Sequence, residues 1–410
     1  MKFNPFSLDP SIALQSVSPM EGKTVALKTV ENKRFISLES GSVEVTKIHG
    51  PFYTDDYFGT LNWSTDEQQI VYIAEKLEPS DDTKFHHYYD AGEGYTGKRV
   101  PVCCIYDLKS QVVQVLDYNS LWGIAQPFFY KNQLYFVGIE AEPTKLGVKY
   151  CTNRRTGLYK CSLDDPSKLE RLSDPEKSVR YPQLSPDQSE IVYLCNPSGS
   201  GPHASCDQIV SFNIHSGKER VIVDYVQEPK SINDFPGIYA YTIKDYCWAS
   251  TKSLILTGIW RSRTVILSIN IENGAVSNLT PNGLESWSVL RCTLDGYIIC
   301  LKSSPKQPST LCLLKLADNT CTVLDTPSTT DQIKSYLENI EYSIHTDIGD
   351  RTTMLEVIMM KSKTKLHSFG QQVTPLICLP HGGPHGSLTT SWSISLAAFL
   401  TLGFAVLCVK

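Results

Sequence analysis

The sequence has no long apolar run near its start. The opening stretch MKFNPFSLDPSIALQ has no h-region, so secretion through a signal peptide is not expected. Its longest apolar stretch, ISLAAFLTLGFAVLCV (394–409), is short for a membrane span and carries Ser, Thr and Gly inside it. A buried helix followed by a buried strand is the reading there, and no membrane partner is expected. No block of like charge exists: 38 Lys and Arg stand against 43 Asp and Glu, a formal charge of −5. That leaves nothing to track a phosphate backbone, so nucleic acid is not an expected partner. The 13 cysteines include no C-x-x-C and no metal-ligand spacing, which predicts small buried hydrophobes in a reducing compartment. The expected location is therefore cytoplasmic, with no metal and no cofactor. The sequons at Asn62 and Asn278 would then stay unmodified. A search for the serine nucleophile elbow G-x-S-x-G finds none; ESGS (39–42) and PSGSGP (197–202) lack its spacing.

What the sequence does hold is core material and a repeat. At 410 residues, 41% apolar and 20% charged, it exceeds one ordinary domain and is not a disordered chain. One half of the repeat is a polar turn followed by an alternating strand, as in WSTDEQQIVYIAEK (63–76), LSPDQSEIVYLC (184–195) and TLDGYIICLKS (293–303). The other half is a hairpin, as in CCIYDLKSQVVQVLD (103–117), QIVSFNIHSGKERVIVD (208–224) and VILSINIENGAVSNLT (265–280). Its HSG and ENG turns suit residues with positive φ. The halves alternate six times at intervals of roughly 45 to 65 residues, the signature of a β-propeller whose blades bury their faces against each other. The largest insertion, 78–101, is polar and is expected on an exposed rim. His86 and His87 lie within it and read as solvated loop residues.

After residue 325 the pattern changes. TPSTTDQ (326–332) reads as a linker, NIEYSIHTD and TMLEVIMMKS as a strand pair around an IGDRT turn. TPLICLP (374–380) reads as a short parallel strand covered on both faces, and SWSISLAAFLTLG as an apolar helix stopped by Gly403. Strand, Gly-rich loop, helix, strand begins an α/β domain. The loop reads PHGGPHG. Acyl transfer places negative charge on a carbonyl oxygen, and preorganised backbone N–H groups stabilise it, each typically by about 3 kcal/mol. Such a loop must bring main chain close to substrate, which is a reason for Gly382 and Gly383, with Pro384 stiffening the loop just beyond them. His381 and His385 have no orienting carboxylate or third ligand marked in the sequence and are assigned no catalytic or metal role.

Several long stretches resemble eukaryotic acylaminoacyl-peptidases of the prolyl oligopeptidase group. They are HGPFYTDDYFGTLNWS (49–64), YCTNRRTGLY (150–159), LSPDQSEIVYL (184–194), GIYAYTIKDYCWAS (237–250), RSR (261–263), LPHGGPHGSLTTSW (379–392) and GFAVLCV (403–409). The resemblance implies a seven-bladed propeller gating an α/β-hydrolase domain that removes N-acylated residues from short blocked peptides with a Ser-His-Asp triad. It also implies a cytosolic and often homo-oligomeric enzyme. The expected fold is thus mainly β: a β-propeller over 1–325 with its first blade incomplete, a linker over 326–335, and the truncated start of an α/β-hydrolase domain over 336–410. Gly383 is the favoured oxyanion donor and Gly382 the fallback. Gly386 stands where the family usually has Ser, read as a minor change.

None of the triad residues of the family pattern is found in the 410 residues. The chain is expected to be an N-terminal portion of such a peptidase, inactive alone, with a raw sheet edge and an apolar face that the hydrolase remainder would cover. The alternative reading is a non-catalytic propeller binding module with a vestigial hydrolase segment.

Overall fold

A computed structural model describes residues 11–409 except 21, 78–89, 93, 142–145, 152, 200–204, 230, 232–233, 347–355, 364–373 and 383–385. The chain falls into two compact units, Met1–Pro182 with Cys195–His203, and Gln183–Leu194 with Ala204–Lys410.

The first unit carries three sheets. Strands β1 (Ser11–Val17), β2 (Thr24–Val30), β3 (Lys33–Leu38) and β4 (Gly41–Glu44) form one in sequence order. Strands β5 (Leu61–Trp63), β6 (Gln69–Glu75), β7 (Pro101–Asp107) and β8 (Val112–Leu116) form the next. Strands β9 (Gly123–Tyr130), β10 (Gln133–Ile139), β11 (Thr156–Ser162) and β12 (Leu169–Arg171) form the third. Neighbouring strands in all three are antiparallel. The first two sheets stack through Val25, Leu27 and Ile36 against Ile70, Tyr72 and Cys104. Each such aliphatic side chain contributes about 1.5–3 kcal/mol by burial.

Strands β13 (Ser178–Leu184) and β14 (Glu190–Asn196) run across the division and continue with β15 (Gln208–Asn213) and β16 (Lys218–Val223) into a fourth sheet. The second unit adds β17 (Ser253–Trp260), β18 (Arg263–Asn270) and β19 (Val276–Asn278), then β20 (Ser286–Cys292), β21 (Tyr297–Ser304), β22 (Gln307–Lys315) and β23 (Thr320–Asp325). Ile255 and Ile266 of the former sheet pack on Trp287, Ile298 and Cys312 of the latter. Six sheets of blade order therefore occur among the described residues, one for each repeat unit of the sequence. The seven implied by the resemblance would need one more.

The repeated turn has a repeated cause. Ser64 Oγ donates to Asp66 Oδ1 at 2.6 Å and accepts from Gln69 N at 2.9 Å. Ser185 does the same with Asp187 (2.6 Å) and Glu190 N (3.0 Å), and Thr293 with Asp295 (2.5 Å) and Tyr297 N (3.1 Å). The residue after each Asp is left-handed: Glu67, Gln188 and Gly296. A hydroxyl and a carboxylate two residues apart supply the hydrogen bonds that a strand end would leave unmet. The HSG and ENG turns place Gly217 and Gly274 at φ 67° and 73°, as expected.

Two expectations need correction. The 78–101 insertion is not wholly a rim loop. Residues 78–89, with His86 and His87, lie outside the described residues, but Ala91 and Tyr95 are buried. Tyr95 donates to Asp55 Oδ1 at 2.6 Å, and its ring packs 5.6 Å from Phe58. The aromatic residues scattered through 53–95 thus close into one cluster, which hydrophobic burial favours over solvation. The cysteines are mostly, but not all, interior: Cys321 and Cys378 are exposed on edge strands.

The chain then enters a mixed sheet. Helix α1 (Asp331–Glu338) is capped by Thr330, whose side chain accepts from Ile333 N, so regular structure begins inside the segment read as linker. Strands β24 (Ile340–Thr346) and β25 (Glu356–Ser362) pair antiparallel; the turn between them lies outside the described residues. Strand β26 (Leu376–Pro380) leads through α2 (Ile394–Thr401) to β27 (Ala405–Val409), which is parallel to β26 and antiparallel to β25. The sheet order is β24-β25-β27-β26. Helix α2 ends as read from the sequence. Gly403 has φ 91°, its N–H reaches Leu400 O, Phe404 N reaches Phe399 O, and the Phe399 and Phe404 rings meet edge to face. Strand β26 is covered on one face rather than both. Leu379 packs on the core that holds the helices and Ile377 is half-buried in the same alternation, while Leu376, Cys378 and Pro380 are exposed. Among the described residues α1 and α2 pack on one side only, so β26 is an edge strand beside an open apolar face.

Candidate functional site

The PHGGPHG loop leaves the C-terminal end of β26, where a βαβ crossover turns the chain toward α2. His381 N holds the start of the loop to Val409 O at 3.3 Å, continuing the parallel ladder by one residue. Gly386 N then donates to Gly382 O at 3.0 Å, closing a tight turn. Gly383, Pro384 and His385 lie outside the described residues.

The two described glycines differ in what they do. A Cβ on Gly386 would sit 2.5 Å from Gly382 O, so the turn itself demands glycine there. Gly386 is therefore part of how this loop closes. At Gly382 a Cβ would meet nothing within 4 Å, and its φ is not positive. Neither backbone conformation nor packing requires glycine at 382, and the residue is exposed. Its N–H has no hydrogen-bond partner among the described residues. An unpaired N–H beside open space at the end of a parallel strand can receive an anionic oxygen.

His381 is half-buried, and its Nδ1 approaches only Gly382 O, at 3.4 Å. No carboxylate contacts it, so no acid–base pair forms around this loop among the described residues. The described residues also hold no group of three or more His, Cys, Asp and Glu able to take a metal ion. Sequence reasoning missed Ser387, whose Oγ is buried with no partner among the described residues. It also missed the anchor at residues 389–392. Thr390 is fully buried, and its N–H donates to Ser262 O at 2.8 Å. Thr390 Oγ1 lies 3.0 Å from Ser286 Oγ, and Trp392 N donates to Ser303 Oγ at 3.2 Å. Only the RSR stretch hinted at this, since Ser262 sits in the turn between β17 and β18.

A family model described as the N-terminal domain of acylamino-acid-releasing enzyme matches residues 18–90 and 83–323. The chain belongs to the acylamino-acid-releasing enzyme family. Among curated relatives of this family, the pig acylamino-acid-releasing enzyme is 30% identical over 459 residues, covering 98% of this chain and 60% of the relative. The human acylamino-acid-releasing enzyme is 31% identical over 437 residues, covering 93% and 58%. The chain thus spans about 60% of the length of these relatives. Of solved structures, the Pyrococcus horikoshii acylaminoacyl peptidase aligns over 98% of this chain and 57% of its own, with TM-score 0.66 and 14% identity. Oligopeptidase B from Trypanosoma brucei aligns over 98% and 51%, with TM-score 0.63 and 10% identity. These likenesses support the fold: a β-propeller followed by the start of an α/β domain. No helix among the described residues is long and apolar enough to cross a membrane.

Proposed function

We propose that this chain supplies the propeller and the oxyanion side of a serine peptidase that releases N-acylated amino acids from short blocked peptides. Residues 1–325 form the gating propeller, the linker is shortened to the stretch before α1, and the residues from α1 onward open the hydrolase domain. The observation that carries this is the exposed Gly382 after the end of β26, whose N–H has no partner and where no packing demand explains a glycine among the described residues. Gly383 N–H is the favoured donor to the carbonyl oxygen of the scissile bond, with Gly382 N–H as the second candidate. As the tetrahedral intermediate forms, charge moves onto that oxygen, and a fixed N–H stabilises it without reorganising. The nucleophile, base and acid are not among these 410 residues, so residues 1–410 alone form no acyl-enzyme. The enzyme acts in the cytoplasm, takes short acetylated peptides, and assembles as a homo-oligomer.

Two experiments test this. A fluorophosphonate probe should leave the 410-residue chain unlabelled; stoichiometric labelling would mean a nucleophile of a different kind. In a polypeptide extended to the length of the curated relatives, N-acetylalanine p-nitroanilide should be hydrolysed. There Gly383→Pro, which deletes the N–H, should lower kcat about 100-fold. Unchanged kcat in that variant would remove Gly383 as the donor, and unchanged kcat in Gly382→Pro as well would remove the oxyanion role.

A further inference from the structure

The segment between the candidate oxyanion loop and α2 packs Leu388 and Trp392 on the core of its own domain, and its polar contacts go to the propeller sheets. Within the second unit, residues 389–392 lie against the ends of β17, β18, β20 and β21. Ser262 is the hub. Its carbonyl accepts Thr390 N at 2.8 Å, and its hydroxyl donates to Glu356 Oε2 at 2.8 Å at the start of β25. One turn residue of the propeller thereby grips both the loop segment and the central part of the α/β sheet. Ser286 Oγ accepts Thr264 N at 3.1 Å and meets Thr390 Oγ1 at 3.0 Å, so its hydrogen is free to donate to Thr390. Ser262, Ser286, Glu356 and Thr390 are all nearly inaccessible to solvent, at 1%, 2%, 5% and 0% exposure. Water therefore cannot replace these bonds without opening the seam.

This is an unusual place for polar side chains. A contact needed only for cohesion would be served by apolar packing, which carries no partner requirement. Buried hydroxyl pairs instead fix one register, because a shift of one residue would leave each donor unmet. The loop upstream has few other constraints: β26 is an edge strand with one open face, and Gly382 touches nothing that a side chain would meet. Among the described residues, His381 is tied to β27, and Thr390 and Trp392 are tied to the propeller.

We propose that Thr390, Ser262 and Ser286 are positioning residues through which the propeller fixes the course of residues 386–392, just beyond the candidate oxyanion donors. The catalytic consequence rests on the oxyanion role proposed for Gly383 and Gly382. The test uses Thr390→Val, which keeps the side chain's shape and removes its hydroxyl, beside Thr390→Ser, which keeps the hydroxyl. In the 410-residue chain, amide hydrogen exchange at Gly386, Thr390 and Trp392 should rise at least ten-fold in T390V. T390S should stay within about three-fold of wild type, and β21 and β22 should be unchanged in both. Exchange in T390V that matches wild type, or that rises equally across β21 and β22, overturns the anchor.

In the extended polypeptide, T390V should lower kcat about ten-fold with KM within two-fold, and T390S should restore it. If Gly383→Pro lowers kcat and T390V does not, the positioning role is wrong while the oxyanion reading stands. If neither of these nor Gly382→Pro lowers kcat, the oxyanion reading itself has failed.

Discussion

His49 opens the stretch HGPFYTDDYFGTLNWS and is fully buried in the first unit. Its Nδ1 lies 2.8 Å from Gly50 O and its Nε2 2.9 Å from Tyr72 Oη. A carbonyl can only accept, so Nδ1 carries the proton and Nε2 accepts from the tyrosine hydroxyl. This is a neutral imidazole with both nitrogens satisfied. Burial pushes its pKa down to about 4; the Gly50 carbonyl opposes that shift and the Arg34 charge adds to it. The unfolded chain binds the proton at its ordinary value of about 6.5, whereas the folded chain resists it until about 4. Stability from this group is therefore fully present above about pH 6.5 and is lost as pH falls toward about 4. The depression corresponds to about 3 kcal/mol in full, of which about 2 is gone by pH 5.

Urea midpoints of wild type and His49→Gln between pH 7.5 and 4.5 isolate this contribution, since carboxylate titration is common to both. The wild type should lose about 2 kcal/mol more than the variant by pH 5, with the gap opening below pH 6.5. The His49 ring proton should show no titration above pH 5 by NMR. A ring midpoint near 6.5, or parallel stability curves, would refute the reasoning.

Other substitutions should report on single contacts. Glu75 is buried and accepts from Tyr53 Oη (2.6 Å), Arg99 N (3.1 Å) and Val100 N (2.8 Å), so Glu75→Ala should cost about 2–4 kcal/mol in chemical denaturation, with Glu75→Gln milder. Gly386→Ala forces a Cβ to 2.5 Å from Gly382 O and should abolish exchange protection of the residue-386 amide while leaving the propeller sheets unchanged. Gly403→Ala puts a side chain at φ 91° and should lower the stability of the α2–β27 region by about 1 kcal/mol, read by local hydrogen exchange. The open face beside β26 should bind a hydrophobic dye, and Leu376→Lys should reduce that binding without loss of fold, since Leu376 is 52% exposed.

Much of this architecture was legible along the chain because its determinants are local. The Ser/Thr-x-Asp turns, the glycines at 217 and 274 and the Ser393-to-Gly403 limits of α2 act within a few residues, so each can be read where it stands. The repeat count follows from them, and so do the apolar strands around the HGGP loop. What needed the tertiary structure is what depends on partners far along the chain. Alternation in β26 could not say that one face stays uncovered, since that depends on where α1 and α2 pack. The insertion after residue 77 could not be seen to turn inward, because the aromatic residues that draw Tyr95 in lie some 40 residues earlier. Nor could Gly386 be told from Gly382: both are glycine in one motif, and only the approach of a carbonyl oxygen separates a residue the turn requires from one the open space allows. The Ser262–Thr390 anchor, 128 positions apart, is the extreme case. Its members are ordinary serines and threonines until folding buries them against one another, and burial is what makes their hydrogen bonds decisive.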